Sequence, residues 1–200
     1  MEKYLDKIAR WYDRTLLAFG TSPQGVGWST EKDQRIRFEQ LTKLIEKEEY
    51  ICNDLGCGYG ALLNFLKEVG KEPIAYYGYD LSRYMVQNAR SIVSKNTVSI
   101  FEGTRLETLA DYTFASGTFN IKLNAHRGEW EWHIAESIQD MAEHSMLGFG
   151  VNFLTKSEDS RLYVASANEW SDFCSIYGKV TCLMDYIDGD VTILVKKANI

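Results

Sequence analysis

Two carboxylates and three glycines in the first half of the chain form the pattern with the clearest chemical meaning. Residues 54–60 read Asp-Leu-Gly-Cys-Gly-Tyr-Gly, and Asp80 ends the next β-prone run. Closely spaced glycines let a backbone loop approach a ligand, and a helix after the loop directs its first free N–H groups to the same place. A carboxylate at the tip of the following strand can accept hydrogen bonds from a ribose diol. The pattern predicts a site for a cofactor that contains a nucleoside.

The elements that position this loop alternate between strand and helix from residue 50 onward. Runs rich in aromatic and β-branched residues predict strands at 50–55, 74–80, 98–102, 112–119, 148–154, 179–186 and 190–197. Apolar periodicity predicts helices at 59–69, 82–94, 130–145 and 168–177. This alternation indicates an α/β fold, a mostly parallel sheet covered by helices on both faces.

The last two predicted strands are joined by residues 187–189, Ile-Asp-Gly. Asp-Gly predicts a tight hairpin, and so short a connection leaves no room for a crossover helix. The last strand must therefore run antiparallel to its neighbour, which predicts seven strands with the final one reversed.

The first 49 residues predict an N-terminal helical cap that belongs to the same domain as the core at 50–200. An apolar stripe indicates a helix at 3–19, and glycine and proline break the pattern at 20–27. Ser29 or Thr30 then caps a second helix that extends to about residue 47.

The composition excludes several classes of function. A chain of 200 residues with 45% hydrophobic residues predicts one globular domain. Its formal charge of −6 disfavours a nucleic-acid groove, which needs a basic stripe. We expect no metal site, and buried free thiols in a reducing compartment, because neither the cysteines nor the histidines have metal-ligand spacing. A charged N-terminus and the lack of a long apolar run predict a cytoplasmic protein that does not bind membranes. We expect a monomer or a homodimer.

The loop at 54–60, the strand-end acid in Gly-Tyr-Asp-Leu-Ser at 78–82, and the closing hairpin together resemble the class I S-adenosylmethionine-dependent methyltransferases. More narrowly, Trp28, Arg-Phe-Glu-Gln-Leu at 37–41 and Ala-Ser-Gly at 115–117 are similar to a group of small bacterial members. The resemblance implies a Rossmann-like three-layer α/β/α sandwich with strand order 3-2-1-4-5-7-6 and S-adenosyl-L-methionine as the cofactor. It also implies methyl transfer to an acceptor, for which the short cap and the acidic charge favour a small molecule with an oxygen or nitrogen nucleophile.

The resemblance further implies roles for individual residues. Asp54 would lie near the methionine amino group, Asp80 would hold the ribose hydroxyls, and residues 103–105 would lie against the adenine. Related proteins often carry an acid directly after the glycine of that last segment, where this chain has Thr104, so a backbone amide is expected to substitute for it. The predicted cofactor site comprises Asp54, Leu55, Gly56, Cys57, Gly58, Gly60, Asp80, Leu81, Gly103, Thr104, Arg105, Ser116 and Gly117, with Tyr12, Trp28 and Arg37 from the cap.

Two of these predictions leave an alternative open. Arg37 could clamp the cofactor carboxylate with two hydrogen bonds, or it could be an exposed helix charge. His126, after the fourth strand, is the candidate general base because its ordinary pKa lies near neutrality; a surface loop position is the alternative. Ser116 and Gly117 stand where many relatives carry an Asn/Asp-Pro-Pro-aromatic motif, and its absence disfavours methylation of the exocyclic amines of bases or glutamine.

Two other functions fit parts of the pattern. Residues 56–61 also satisfy the looser GxGxxA form of dinucleotide-binding enzymes, with Asp80 at the expected spacing. Asp54 before the loop and the antiparallel hairpin disfavour such an oxidoreductase. A methyltransferase-like binding subunit without catalytic activity is the other alternative, motivated by the missing motif at the fourth strand.

Overall fold

One mixed sheet forms the centre of the computed structural model, which describes residues 1–92 and 97–198. Its strands are β1 (Ile51–Leu55), β2 (Ala75–Asp80), β3 (Val98–Glu102), β4 (Ala110–Ser116), β5 (Ser145–Leu154), β6 (Lys179–Leu183) and β7 (Asp190–Lys196). They lie in the order β3-β2-β1-β4-β5-β7-β6. The pairs among β1 to β5 are parallel, whereas β7 is antiparallel to both of its neighbours. The predicted order and the reversed last strand are confirmed.

Helices cover both faces of the sheet, as predicted. They are α1 (Glu2–Phe19), α2 (Glu31–Leu41), α3 (Ala61–Glu68), α4 (Arg83–Ile92), α5 (Arg127–Glu143) and α6 (Ala167–Cys174). Side chains of α5 and α6 are buried against one face, and those of α2, α3 and α4 against the other. Neighbouring residues of a strand point to opposite faces, so Phe114 and Ala115 of β4 belong to different apolar clusters. The result is the three-layer α/β/α sandwich.

The N-terminal segment packs on this sandwich through both of its helices. Ile8 of α1 is buried with the α5 face, whereas Phe38 and Leu41 of α2 are buried with the α3 face. A short 3₁₀ helix, Pro23–Val26, connects the two and packs against α1. Thr30 caps α2 by accepting a hydrogen bond from the Asp33 N–H at 3.0 Å.

The predicted end of the second helix at residue 47 is wrong. α2 ends at Leu41 and a 3₁₀ turn, Thr42–Leu44, follows it. Beyond this turn, contacts with β4 hold the chain in place of helical hydrogen bonds. The Glu46 N–H donates to the Tyr112 hydroxyl at 3.2 Å, and Lys47 forms an ion pair with Asp111 at 2.8 Å. Neither contact is visible in local periodicity.

Several other boundaries also differ from the prediction. β4 occupies Ala110–Ser116 rather than 112–119, because the chain turns at Gly117 with a φ of 68°. α5 begins at Arg127 rather than 130, and β5 begins at Ser145 rather than 148. Residues 93 and 94, at the predicted end of the helix at 82–94, lie outside the described residues.

The predicted tight hairpin is wrong, although its strands do run antiparallel. β6 ends at Leu183, so residues 184–189 form a longer loop. Other parts of the chain hold this loop: Lys156 forms an ion pair with Asp188 at 2.7 Å, and the Thr155 N–H donates to the Gly189 carbonyl at 2.7 Å. The local Asp-Gly turn does form, since the Asp190 N–H donates to the Ile187 carbonyl at 3.2 Å and Gly189 has a φ of 81°. The pairing of β6 with β7 nevertheless ends at Leu183, before the chain reaches this turn.

The cysteine prediction is correct for three of the four thiols. Cys52, Cys57 and Cys174 are buried and free, whereas Cys182 is free but exposed. Cys182 lies on β6, an edge strand whose residues are largely accessible.

In residues 1–92 and 97–198, no cluster of three or more potential metal ligands occurs, and none of the helices has the length and apolar character of a membrane span.

Candidate functional site

The glycine-rich loop after β1 turns beneath the carboxyl end of β2. Gly56, Gly58 and Gly60 have φ values of 74°, 55° and 88°, in a region that other residues rarely adopt. The Gly56 N–H donates to the Tyr79 carbonyl at 2.7 Å. A Cβ atom at Gly56 would lie 2.6 Å from the Thr118 hydroxyl oxygen. Both backbone conformation and close packing therefore require glycine in this loop.

Asp80 links the glycine loop to the start of α4. Its Oδ2 accepts a hydrogen bond from the Gly58 N–H at 2.8 Å, and its Oδ1 accepts one from the Ser82 N–H at 2.8 Å. The Ser82 hydroxyl accepts from the Met85 N–H at 3.1 Å and donates to Asp13 at 2.5 Å. Burial raises the pKa of the Asp80 carboxyl to about 6, against the opposing effect of the two N–H donors. Asp80 thus holds the loop in place with a desolvated carboxyl group.

Asp54 lies at the same edge of the sheet and is almost fully buried. The Tyr76 hydroxyl donates a hydrogen bond to its carboxylate. Burial raises the pKa of the Asp54 carboxyl to about 7; the Tyr76 hydrogen bond opposes this rise, and the nearby Asp80 adds to it. In the described part of the chain, no Lys, Arg or His forms an ion pair with either carboxylate. Such a pair of groups suits a ligand that brings its own positive charge and hydroxyls.

One cavity at the carboxyl ends of β1, β2 and β4, here called the cofactor cavity, brings most of the predicted residues together. It is lined by the predicted residues Tyr12, Trp28, Asp54, Gly56, Cys57, Gly58, Asp80, Leu81, Ser116 and Gly117. Its other lining residues are Val26, Gln34, Phe38, Tyr59, Ala61, Leu62, Met85 and Thr118. The crest of an open α/β sheet is where ligands of this fold class bind.

Five predicted residues of the core do not line this cavity. Leu55 is buried beneath it, where its carbonyl accepts a hydrogen bond from Thr118 at 2.7 Å, and Gly60 precedes α3. Gly103 and Thr104 follow β3 outside the lining. Arg105 also follows β3, 69% exposed and 3.9 Å from a carboxylate oxygen of Glu136. The part of the prediction that concerns the adenine therefore has no support from the lining of the cavity.

Arg37 lies outside the cofactor cavity and has partners of its own. Its Nε donates to Asp190 at 3.2 Å, its Nη2 pairs with the other oxygen of the same carboxylate, and its Nη1 donates to the Asp33 carbonyl at 2.8 Å. Its guanidinium also lies over the Trp28 ring, 4.0 Å from the centroid. Arg37 joins α2 to β7 as a buried cation.

His126 is not brought to the cofactor cavity either. It is exposed at the start of α5, where its Nδ1 accepts a hydrogen bond from the Gly128 N–H at 3.3 Å. A histidine with this contact acts as a helix cap, which is the surface alternative for this residue.

The end of β4 depends on Asn152 of β5, a residue that sequence reasoning missed. The Asn152 Oδ1 accepts from the Gly117 N–H at 2.8 Å, and its Nδ2 donates to the Ser116 hydroxyl at 3.4 Å. A Cβ atom at Gly117 would lie 2.3 Å from Cζ2 of Trp28. A polar residue within an otherwise apolar strand is the signal that could have revealed Asn152.

A second cavity, here called the adjoining cavity, lies beside the first. The two share Tyr12, Val26, Trp28 and Gly117. The remaining lining residues of the adjoining cavity are Gly27, Ser29, Asp33, Arg37, Asn120, Ile121, Leu154, Lys156 and Leu162. Sequence reasoning missed this cavity, because its residues come from distant segments that only the fold brings together.

Comparisons with known proteins show which family the chain is similar to. Residues 53–142 match a family model described as "Methyltransferase domain". The chain is 36% identical over 160 residues to the Mycobacterium tuberculosis (strain ATCC 25618 / H37Rv) protein named "Putative methyltransferase Rv1506c", an alignment that covers 76% of this chain and 96% of that protein.

Solved structures with the same fold include several that were determined with the cofactor. Magnesium protoporphyrin IX methyltransferase from Synechocystis PCC 6803, with bound S-adenosylmethionine, has a TM-score of 0.55 at 13% identity, covering 98% of this chain and 79% of that one. A cofactor-bound amino pentose methyltransferase from Micromonospora echinaspora has a TM-score of 0.61 at 13% identity, covering 86% and 93%. At these identities the likeness is one of fold.

Proposed function

The chain belongs to the methyltransferase family and has the class I fold, and from that premise we propose that it binds S-adenosyl-L-methionine and methylates an oxygen or nitrogen atom of a small molecule. The main observation behind the proposal is that Asp54, the glycine loop and Asp80 all line one cavity. The cofactor supplies a methyl group that is already activated as a sulfonium.

The residues of the cofactor cavity fit such a molecule. Asp54 is a buried carboxylate without an ion-pair partner in the described residues, which suits the ammonium group of the methionine part. Asp80 is positioned at the strand tip that suits a ribose diol. Gly56 and Gly58 allow the loop to pack closely at the edge of the cavity, because a Cβ at these positions would meet Thr118 and Val26.

The protein's own contribution is to place the acceptor in line with the methyl group and to exclude water. Orientation of this kind is worth at best about 7–11 kcal/mol of the barrier. Charge is lost as the sulfonium becomes a thioether, so apolar walls such as those of Trp28, Leu81 and Met85 suit the reaction.

The N-terminal segment supports the choice of a small molecule. Tyr12 and Trp28 lie in the walls of both cavities, so the cap covers the sheet edge where methyl transfer would take place. The net charge of −6 also disfavours a nucleic-acid substrate.

Transfer of a labelled methyl group by the purified chain tests the proposal. The protein is incubated with methyl-labelled cofactor and with a bacterial extract divided into a small-molecule filtrate and a macromolecular fraction. We expect label in the filtrate. Label only in protein or RNA would contradict the small-molecule substrate, and an absence of transfer by a chain that binds S-adenosylhomocysteine would favour a non-catalytic binding subunit.

Two variants connect this transfer to the cofactor cavity. Asp80→Ala should weaken S-adenosylhomocysteine binding roughly 10–150-fold, because hydrogen bonds to a charged group contribute about 1.5–3 kcal/mol. Glu102→Gln is the matched control, since Glu102 ends the neighbouring strand β3 but is exposed. Unchanged affinity in the Asp80 variant would mean that the ribose lies elsewhere.

A further inference from the structure

We propose that the acceptor binds in the adjoining cavity through a hydroxyl group, which Asn120 orients and Asp33 deprotonates. The inference rests on the proposed function and narrows its substrate class to hydroxyl-bearing small molecules. The evidence for it is the set of polar side chains that line the adjoining cavity and the hydrogen bonds and ion pairs that these side chains form.

Asn120 is a buried residue whose side-chain amide has a hydrogen-bond partner at its oxygen but not at its nitrogen. It is 5% exposed, and its Oδ1 accepts from the Leu154 N–H at 3.3 Å. This contact fixes the orientation of the amide, because an N–H group can only face the oxygen. Its backbone is held as well, by the Gly117 carbonyl at 3.1 Å and the Tyr163 N–H at 2.8 Å.

The other end of this amide faces the adjoining cavity. Among the described residues, the Asn120 Nδ2 makes no hydrogen bond, although Asn120 belongs to the lining. Within the described residues Asn53 Oδ1 is the only buried side-chain nitrogen or oxygen atom without a partner, so the Asn120 Nδ2 is accessible and can donate to a ligand atom. The adjoining cavity thus has a donor among its lining residues, on an amide whose orientation is fixed by the Leu154 N–H.

Asp33 supplies the complementary acceptor. It lies in the first turn of α2 and lines the same cavity, and its carboxylate forms no ion pair or hydrogen bond within the described residues. The two cations of the lining are already occupied, since Arg37 pairs with Asp190 and Lys156 with Asp188. Asp33 is therefore available to a ligand.

These groups favour a hydroxyl over an amine. A hydroxyl oxygen can accept from Asn120 while its proton is donated to Asp33. A protonated amine has no lone pair for Asn120, and a neutral amine has only one, which it needs for attack on the methyl carbon. Ile121 and Leu162 add apolar surface, so the expected acceptor carries its hydroxyl on a partly apolar framework.

The reaction would balance with the bound cofactor as methyl donor and Asp33 as proton acceptor. The acceptor oxygen forms a bond to the methyl carbon while the carbon–sulfur bond breaks and its electron pair moves to sulfur. The hydroxyl proton passes to the Asp33 carboxylate and then to water. Positioned proton acceptors of this kind contribute about 10²–10⁴-fold in rate.

The chemical identity of the product tests the inference directly. The protein is given cofactor carrying a carbon-13 methyl group together with the small-molecule filtrate, and the products are examined by nuclear magnetic resonance. The chemical shift of the transferred methyl separates O-methyl from N-methyl and S-methyl products, even before the acceptor is identified. We expect an O-methyl signal.

Variants then assign the roles, with the unmethylated form of the identified compound as substrate. Asp33→Asn should lower kcat by about 100-fold, whereas Glu31→Gln, which removes a charge from the same turn of α2 outside the cavity lining, should leave it unchanged. Asn120→Asp keeps an acceptor for the Leu154 N–H but loses the donor, and should raise the acceptor KM about 10-fold or more. Binding of S-adenosylhomocysteine should stay within about twofold in all three variants.

The possible outcomes distinguish a failure of this inference from a failure of the proposed function on which it rests. An N-methyl or S-methyl product overturns the hydroxyl acceptor while leaving small-molecule methylation intact. An O-methyl product with unchanged kinetics in both cavity variants overturns the roles of Asp33 and Asn120. If no small molecule receives the label, the proposed function itself fails and the inference fails with it.

Discussion

Removal of the Tyr76 hydroxyl should change the pH at which the protein binds its cofactor. This hydroxyl donates to the buried carboxylate of Asp54, and that hydrogen bond opposes the rise in the Asp54 pKa, which burial takes to about 7. A hydrogen bond to a charged group contributes about 1.5–3 kcal/mol, and one pKa unit corresponds to about 1.4 kcal/mol. In Tyr76→Phe we therefore expect the Asp54 pKa to rise by about 1–2 units.

The direction of the pH dependence follows from the charge of the ligand. Only the ionised Asp54 attracts an ammonium group, so affinity is present above its pKa and is lost as the pH falls through that value. At pH 7 about half of the wild-type protein is ionised at Asp54, and the variant should bind S-adenosylhomocysteine roughly 5–50-fold more weakly. At pH values well above the shifted pKa, most of the difference should disappear.

Calorimetric titration of S-adenosylhomocysteine across this pH range measures the effect. Tyr50→Phe is the matched control, because Tyr50 is also buried in the same apolar cluster but donates its hydroxyl to the Lys71 carbonyl. The control should keep the wild-type midpoint. A Tyr76→Phe protein whose affinity falls at the same pH as the wild type would refute the contact between Asp54 and the ammonium group.

Two further predictions concern the supports of the site. Gly117→Ala places a Cβ atom 2.3 Å from the Trp28 ring at a φ of 68°. The variant should lower the free energy of unfolding, measured in urea, by roughly 1–3 kcal/mol and should weaken cofactor binding. Wild-type values for both would show that Trp28 moves aside without cost. Arg37→Met leaves the buried Asp190 carboxylate without its cation, and should cost about 3–5 kcal/mol in the same assay. The double variant Arg37→Met with Asp190→Leu should regain much of that loss, and a double variant no more stable than the single one would argue against the ion pair as the cause.

The strand–loop–helix at the cofactor cavity could be predicted because its causes are local. Gly56, Gly58 and Gly60 adopt backbone conformations that other residues avoid, so the sequence itself marks the loop. Asp80 was predictable as well, since a strand tip after such a loop is a defined position. The seven strands and their order agreed with the pattern and with the family resemblance it carries.

Where the structure differs from the sequence interpretation, the cause is mostly a contact between distant residues, and in one case a local cap. The Asp-Gly turn at 188–189 forms, but β6 ends at Leu183, and contacts with residues 155 and 156 hold the longer loop that results. Arg37 is engaged by Asp190, 153 positions away, so its helical pattern could not reveal its partner. His126 has the chemistry of a base, but local capping holds it at the surface.

The sequence by itself therefore determined the sheet, the glycine loop and the cofactor class, because short-range conformation and the alternation of strand and helix encode them. The tertiary structure alone decided which groups share a cavity. Asp33 and Asn120 stand far apart in the chain and carry no common motif, yet folding places both beside the cofactor cavity. The physical reason is that burial, charge pairing and unused hydrogen-bonding capacity exist only once distant segments are packed together.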